Sequence, residues 1–348
     1  MTKKYRPITI RDIAKLSGFS RSTVSLVLNK NPRISKQTQD KILRIIKQEK
    51  YQPNIIARRL AERRSLMVGV VLPQTSHVFS DFYFSEAISG ISDVLMQSEY
   101  KLMLLVVTPE FRDKKMYLSL FEERYIDGML LLGMLTDEPM VSQLQKKNYP
   151  ILLVNSAMPG INAVLADNQL GAKRATEHLI HLGHKKIGLI KGLENTTTGI
   201  DRITGFIQAM KHYKLPIKPE WVAPGNFSEE SGYICMQNIL ASRVLPTAVF
   251  ISNDMMAIGA IRAIREKGLS VPKDVAIVGG DDIKLAAYIE PPLTTIHQDM
   301  YEIGKLAAQE LIAIIHSAKG LPVKMVTKMP HTKMLGTKLV IRKSCGAK

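Results

Sequence analysis

A chain of 348 residues, 45% of them hydrophobic, is long enough to bury two or three separate cores. It has no run of about 18 uncharged apolar residues, which excludes a membrane-spanning helix, and its opening MTKKYRPITIRD is too polar for a signal peptide, so a soluble, cytoplasmic protein is expected. Cys235 and Cys345 show no CxxC or Cys/His spacing, so both are expected to be ordinary reduced thiols, with no metal or cofactor called for.

The net charge of +17 is unevenly placed. Residues 1–65 hold 17 Lys and Arg against four acids, a balance of +13, whereas the rest of the chain holds 31 bases and 27 acids. A basic head on a nearly neutral body is the footprint of a module that neutralises phosphates; a solvated surface or a membrane-surface arm would carry the same charge.

Within the head, Thr9 and Asp12 suit a capping box, after which Ile10, Ile13 and Ala14 share one helical face up to a stop at Gly18. In FSRSTVSLVLN, Ser20 suits the cap of a second helix, with Val24, Val27 and Leu28 as its apolar stripe and Arg21, Ser22 and Leu26 pointing elsewhere. After NKNP, Ser35 suits the cap of a third helix, whose Ile42, Ile45 and Ile46 complete a small core. Two short helices joined by a glycine turn, with a supporting third, predict a helix-turn-helix, in which the second helix reads bases in the major groove. The following PNIIARRLAERR starts with proline where a first helical turn tolerates it, but is too short to be stable as an isolated helix.

From residue 66 the runs LMVGVVLP, KLMLLVV, GMLLLG, PILLVN, KIGLIKG, TAVFIS and VAIVGGDD alternate with helix-length segments. Short continuous apolar strands of this kind predict parallel sheets covered on both faces. Two such groups, divided near Asp167, leave a crevice where their strand ends meet. No GxGxxG, Walker loop, GxSxG or HExxH occurs, so no enzyme is expected. The adjacent Asp281 and Asp282 have the chemistry of an acid and a base, but carboxylates at a strand end more often accept from hydroxyls or cap a helix. His77, His178 and His184 lack metal spacing.

DIAKLSGFS, TVSLVLN and YQPNIIARRLA together resemble the DNA-binding head of the lactose/galactose repressor (LacI/GalR) family of transcriptional regulators. LADNQLGAKRATEHLIHLGHKKIGLIKG, DRITGF, PTAVFISNDMMAIGAIRAIREKGLSVPKDVAIVGGDDI, PPLTTIHQDMYEIG and TKLVIRKSC extend the resemblance over essentially the whole chain. The fold class implied is an all-α helix-turn-helix head plus hinge helix, joined to an α/β two-lobed, periplasmic-binding-protein-like body with parallel sheets. The implied domains are a helix-turn-helix at 1–51, a hinge helix at 52–65 and an effector-binding and dimerisation domain at 66–348. Its chain is expected to cross three times between lobe 1, at 66–165 and 296–325, and lobe 2, at 166–295 and 326–348.

The same resemblance implies site residues. Arg21 and Ser22 fall where base readers stand, Thr23 where a base or phosphate is contacted, and Leu26 on the same helix. Asn54, Ala57, Arg58 and Leu60 fall on a hinge that folds in the minor groove, with leucine as the wedge between base steps and Arg58 and Arg59 near the backbone. Asp81, Arg202, Asn253 and Asp281 fall on the effector contacts, a set of carboxylate, guanidinium and amide groups suited to a ring of hydroxyls.

Three departures qualify the match. Leu26 stands where an arginine often follows TVS; leucine packs on a thymine methyl but cannot make arginine's bidentate contact to guanine. Gly280 stands where an aromatic usually precedes the paired acids, and the cleft loop PQTSHVFSDFYF is long and aromatic, so Phe79, Phe82 or Tyr83 are candidates to replace the missing ring. The end of the chain at LVIRKSCGAK leaves no room for a tetramerising leucine heptad, which favours a homodimer.

The implied protein is a DNA-binding transcriptional regulator, a repressor in the first reading, held on a pseudo-palindromic double-stranded operator. A small-molecule effector between the lobes, carbohydrate-like, controls its operator affinity by allostery. A pyranose, a phosphorylated sugar, a nucleoside and a protein co-effector all stay open. A cytoplasmic sugar-binding protein without regulatory output is the competing reading, and it leaves the +13 head unexplained.

Overall fold

The computed structural model describes residues 8–28, 31–51, 64–75, 78, 81–318 and 330–347. The hinge residues Asn54, Ala57, Arg58 and Leu60, with His77 and Phe79, lie outside the described residues. Contacts within the chain divide it into two units, Met1–Ser65 and Leu66–Lys348.

In the first unit, α1 (Ile10–Ser17) opens on a capping box in which the Asp12 carboxylate accepts from both the amide and the hydroxyl of Thr9. It closes at Gly18, whose φ of 74° is the left-handed conformation that glycine adopts without steric cost. The Ser20 hydroxyl accepts from the Thr23 N–H at 3.0 Å and starts α2 (Arg21–Leu28); Ser35 does the same for Thr38 at the start of α3 (Lys36–Gln48). Each such cap contributes about 1 kcal/mol, a large share of the stability of helices this short. Ile13, Ala14, Val24, Val27 and Ile42 form the buried centre, ringed by half-buried side chains that include Ile10, Leu28, Ile45 and Ile46.

The second unit holds two parallel sheets. The first has the order β11-β5-β4-β3-β1-β2, from β1 (Met67–Pro73), β2 (Lys101–Val107), β3 (Gly128–Leu132), β4 (Ile151–Val154), β5 (Ala163–Ala166) and β11 (Thr332–Leu335). One face, with Val70, Leu72 and Leu130, packs on α4 (Phe82–Met96) and on a long C-terminal helix, Met300–Ala318. The other, with Val71, Met129 and Leu131, packs on Phe111, Tyr117, Phe121, Val141 and Leu144 of α5 (Pro109–Asp113), α6 (Met116–Glu122) and α7 (Pro139–Lys146). Burial on both faces is why β3 is apolar at every position after its glycine.

The second sheet has the order β7-β6-β8-β9, from β6 (Ile187–Lys191), β7 (Val222–Pro224), β8 (Ala248–Ile251) and β9 (Ala276–Val278). It lies between α8 (Asn168–His181) with α9 (Thr197–His212) and α10 (Glu229–Leu240) with α11 (Asp254–Glu266). The C-terminal helix of the first lobe is α12 (Met300–Ala318).

Three chain segments run between the lobes, but two of their boundaries differ from the sequence expectation. β11 pairs in parallel with β5, Thr332 opposite Ala163 through Leu335 opposite Ala166, so these residues extend the first lobe's sheet rather than belonging with 326–348 to the second. The open edge of β5 supplies the ladder that TKML satisfies. At the other boundary, β10 (Thr295–His297) pairs antiparallel with β12 (Lys338–Val340), and Thr294 and His297 bridge to Val278 and Asp281 of the second lobe. The return to the first lobe therefore starts with α12 at Met300 rather than at 296.

Candidate functional site

On α2 the buried Val24 and Val27 fix which side faces the core, and Arg21, Ser22 and Leu26 are left exposed; Leu26 is 38% exposed rather than turned inward. The Ser20 hydroxyl lies 2.7 Å from the Ser22 hydroxyl and 2.9 Å from that of Thr23, so the two are held in one hydroxyl cluster at the helix N-terminus. That end carries exposed amides and the positive end of the helix dipole, a suitable place for phosphate as well as for base edges. Arg11, Ala14, Lys15, Phe19 and Arg21 line a surface depression beside it, and the Lys41 ammonium sits 5.3 Å from the centre of the Phe19 ring. Arg11 and Lys15 were not singled out from sequence, although their i,i+4 spacing puts both on one face of α1.

In the body, the C-terminal ends of the strands bring three of the four expected effector residues together. Arg202, on α9, is 4% exposed. Its Nε donates to Asn168 Oδ1 at 2.9 Å, its Nη1 to the Ser252 carbonyl and its Nη2 to Asp281 Oδ1 at 2.7 Å. Asp281 Oδ1 also accepts from Gln298 Nε2 at 2.6 Å. Burial pushes the Asp281 carboxyl above its usual range, against the opposing pull of the guanidinium and with the Asp81 charge adding to the rise.

Asp81 approaches from the first lobe. Its carboxylate caps α4 by accepting from the Tyr83 N–H at 2.9 Å, and burial raises its pKa despite that bond. The Tyr83 hydroxyl accepts from Asn155 Nδ2 at 2.8 Å, and burial with the Asp281 charge pushes the phenol up to about 12. Asn155 also donates to Gln298 Oε1 at 3.3 Å, which closes a polar path from Tyr83 to Asp281. The lobes touch along the rim: Thr136 N–H donates to the Asn195 carbonyl at 2.9 Å, Ala157 N–H to the Thr197 hydroxyl at 2.9 Å, and Lys284 pairs with Glu86 at 3.3 Å.

Asn253 is not drawn into this path. Its Oδ1 accepts from Met256 N–H at 3.0 Å, capping α11, and its Nδ2 donates to the Phe227 carbonyl at 2.9 Å, so the second lobe's own backbone engages both ends of the amide. Asp282 also diverges from Asp281, pairing with Arg342 at 2.6 Å and His297 at 3.1 Å, which separates the two as an acid and base. Of the aromatic candidates, Tyr83 enters the cluster and Phe82 is 40% exposed. Sequence reading missed Asn155, Asn168, Gln298 and Phe227. The Phe227 ring lies 2.3 Å from where a Cβ on Gly192 would stand, so that glycine is what admits the ring. Gly280 has a comparable reason: a Cβ there would lie 3.0 Å from the Ser252 carbonyl oxygen and 3.2 Å from Arg202 Nη1. The position lies directly behind the guanidinium and leaves little room for a side chain.

Among the described residues no helix is long and apolar enough to cross a membrane, and no group of three metal-ligating side chains occurs.

Residues 9–54 match the model of bacterial regulatory proteins of the lacI family, and residues 176–345 that of a periplasmic binding protein-like domain. The chain is 37% identical to the HTH-type transcriptional repressor PurR of Haemophilus influenzae (strain PittEE) over 339 residues, covering 97% of this chain and 98% of that protein. It is 35% identical to the "Probable HTH-type transcriptional repressor ExuR" of Bacillus subtilis (strain 168), over 88% of this chain and 92% of that one. Among solved structures it is similar to the Lac repressor dimer bound to operator and the anti-inducer ONPF, with a TM-score of 0.83 at 26% identity, over 98% of this chain and 100% of that one. A complex of the transcriptional regulator CelR with cellobiose gives 0.74 at 29% identity, over 97% and 100%.

Proposed function

The chain belongs to the lacI family of bacterial regulatory proteins, and from that premise we propose that it is a homodimeric, cytoplasmic, non-enzymatic repressor whose hold on a pseudo-palindromic DNA operator is set by a small molecule between its lobes. It is a DNA-binding transcriptional regulator with a helix-turn-helix head and a two-lobed α/β body. The observation that carries the rest is the surface of α2, where Arg21, Ser22 and Leu26 are exposed while Val24 and Val27 are buried.

In this reading Arg21 and Ser22 contact base edges, Thr23 a base or phosphate, and Leu26 a thymine methyl. Asn54, Ala57, Arg58 and Leu60 supply the minor-groove hinge, an assignment that rests on the resemblance of YQPNIIARRLA alone. Two heads on a two-fold axis require two half-sites related by the same axis, so dimerisation is part of recognition.

Asp81, Arg202 and Asp281 form the effector site, with Tyr83 supplying an aromatic ring. Asn253 serves it by holding the Phe227 carbonyl. The effector acts by population shift: it favours the arrangement of lobes to which it binds more tightly and so alters how the body presents the two hinges.

Selection of random duplex DNA by the full chain at fixed salt, followed by sequencing, tests the reading. A palindrome with a flexible pyrimidine–purine step at its centre is expected. Failure to enrich any sequence, with or without a pool of metabolites, would remove the assignment of α2 as a base reader.

A further inference from the structure

The cleft residues of the second lobe stand at the C-terminal ends of its strands, and the opposite end of the same sheet carries a different surface. All four strands are parallel, so the connections 182–186, 213–221, 241–247 and 267–275, each leading from a helix to the next strand, gather at the N-terminal ends of β6, β7, β8 and β9. They are fixed to one another. His184 Nδ1 lies 3.0 Å from the Thr247 hydroxyl, and the Thr247 N–H donates to the Lys186 carbonyl at 2.8 Å. Trp221 Nε1 donates to the Val244 carbonyl at 2.8 Å, and the Ala276 N–H to the Thr247 carbonyl at 3.0 Å. The four connections therefore form one continuous face.

These connections hold seven Lys and Arg against two acids, whereas the rest of residues 66–348 holds 24 against 25. The positive surplus of the body is therefore concentrated at this end. Compensation of a helix dipole accounts for Lys211 in the last turn of α9, but that effect fades within one turn, and Lys185, Lys186 and Lys218 lie beyond it. Lys185, Lys186, Lys214, Arg243, Lys267 and Lys273 are exposed, and no carboxylate pairs with any of them among the described residues. Apolar side chains are interleaved with these charges: Leu182, Tyr213, Ile217 and Val244 are 36–42% exposed. Between the second and third connections lies a depression of about 330 Å³, lined chiefly by Pro219, Val222, Ala223, Ile239 and Ala241, whose single acid, Glu220, faces Lys218 at 4.0 Å.

A sugar–phosphate backbone would meet the lysines but leave the depression unfilled and the apolar side chains against a hydrated strand. A polypeptide that interleaves carboxylates with apolar side chains matches both features. We propose that this end of the second lobe docks an acidic segment of a partner protein, with carboxylates on Lys185, Lys186 and Lys214 and an apolar side chain in the depression beside Val222 and Ile239. The lysines steer the encounter and select its sign, because charge pairs at an exposed rim act chiefly on the association rate. The depression slows release by taking apolar surface out of water. The face lies at the far end of the lobe from the cleft, so a bound partner leaves the cleft open.

The test uses the full chain at fixed salt, with random-sequence duplex DNA in excess to occupy the head. The probe is a labelled synthetic peptide in which pairs of Glu are separated by Leu or Phe. Its binding is followed by fluorescence anisotropy, and carbodiimide joins its carboxylates to adjacent lysines, which mass spectrometry then identifies. Links to Lys185, Lys186, Lys214 or Lys218 are expected, with an affinity roughly tenfold or more above that of polyglutamate of equal charge. Equal affinity for polyglutamate would reduce the face to a charge screen and overturn the proposal. Links confined to other lysines would overturn the placement, and loss of these links when the DNA is added would make the face a nucleic-acid surface instead. Lys186→Glu with Lys214→Glu reverses two exposed charges that hold no carboxylate partner, so the fold, checked by circular dichroism, should be retained while the peptide binds roughly tenfold more weakly. An unchanged affinity in that folded variant would remove the lysines from the site.

Discussion

Arg202 Nη2 donates to Asp281 Oδ1 at 2.7 Å, and the two side chains are only 4% and 8% exposed. Such a pair is weak evidence for stability, because desolvation of both ions offsets most of their attraction, but removing one partner strands the other. Among the described residues, Gln298 is the side-chain donor that such a stranded Asp281 carboxylate would keep. The pair is therefore well placed to respond to a ligand, since a hydroxyl that replaces part of this network changes the balance between two lobe arrangements.

Arg202→Ala should abolish the effector response and lower the unfolding free energy by about 3 kcal/mol, the lower end of the range for breaking a buried pair. Adding Asp281→Asn should recover much of the stability but none of the response. Urea unfolding followed by circular dichroism and operator titration with and without effector separate the two effects. A fully responsive Arg202→Ala protein would refute the assignment.

Leu26→Arg should give the operator a symmetric pair of guanines that the unaltered protein does not require. Leu26 is 38% exposed on the face it shares with Ser22, so an arginine there reaches outward without displacing the core. A good bidentate contact discriminates by about 1–3 kcal/mol per base, enough to dominate a sequencing-based selection. Recovery of the same guanine requirement before and after the change would show that this position does not read that base step.

Gly280→Ala places a carbon 3.0 Å from the Ser252 carbonyl oxygen and 3.2 Å from Arg202 Nη1, tighter than ordinary packing. Arg202 must move by a few tenths of an ångström. The expected result is a weakening of the effector response of about tenfold, seen in operator titrations. An unchanged response would mean that the guanidinium tolerates displacement and does not set the ligand's geometry.

Most of the scaffold was legible because local and global signals agree. Val24 and Val27 turn inward as the stripe on α2 required, and β3 and β4 are buried throughout because both faces of their sheet are covered. The strand β11 was hidden: TKML alternates between exposed and half-buried residues at a sheet edge and lies only two residues before β12, so its lobe depends on which ladder is open rather than on its composition. The polar path was hidden for a related reason. Tyr83, Asn155 and Gln298 come from distant parts of the chain and carry no shared period, and only the tertiary fold brings them together. Asn253 shows the opposite case, a match in motif whose amide the local backbone already occupies.

The last prediction concerns Asp254, buried beneath the site. Its Oδ1 accepts from the Thr295 hydroxyl at 2.5 Å and its Oδ2 from the Ile283 N–H at 2.9 Å, with Gly279 packed against it. Burial first, then the Asp281 and Asp282 charges, hold its pKa well above the usual range, outweighing those two hydrogen bonds. A raised carboxyl means that the folded state binds the proton more tightly than the unfolded one. Stability from this group is therefore fully present below the unfolded value of about 3.9 and falls as pH rises from there through the folded pKa. Asp254→Asn mimics the protonated form: its carbonyl oxygen accepts from Ile283 and its amide donates to the Thr295 oxygen. The variant should gain stability relative to the unaltered protein as pH rises from 5 to 8, with the difference shrinking toward pH 4. Urea midpoints measured across that range test the sign, and a difference that grows toward low pH would show that Asp254 is held ionised.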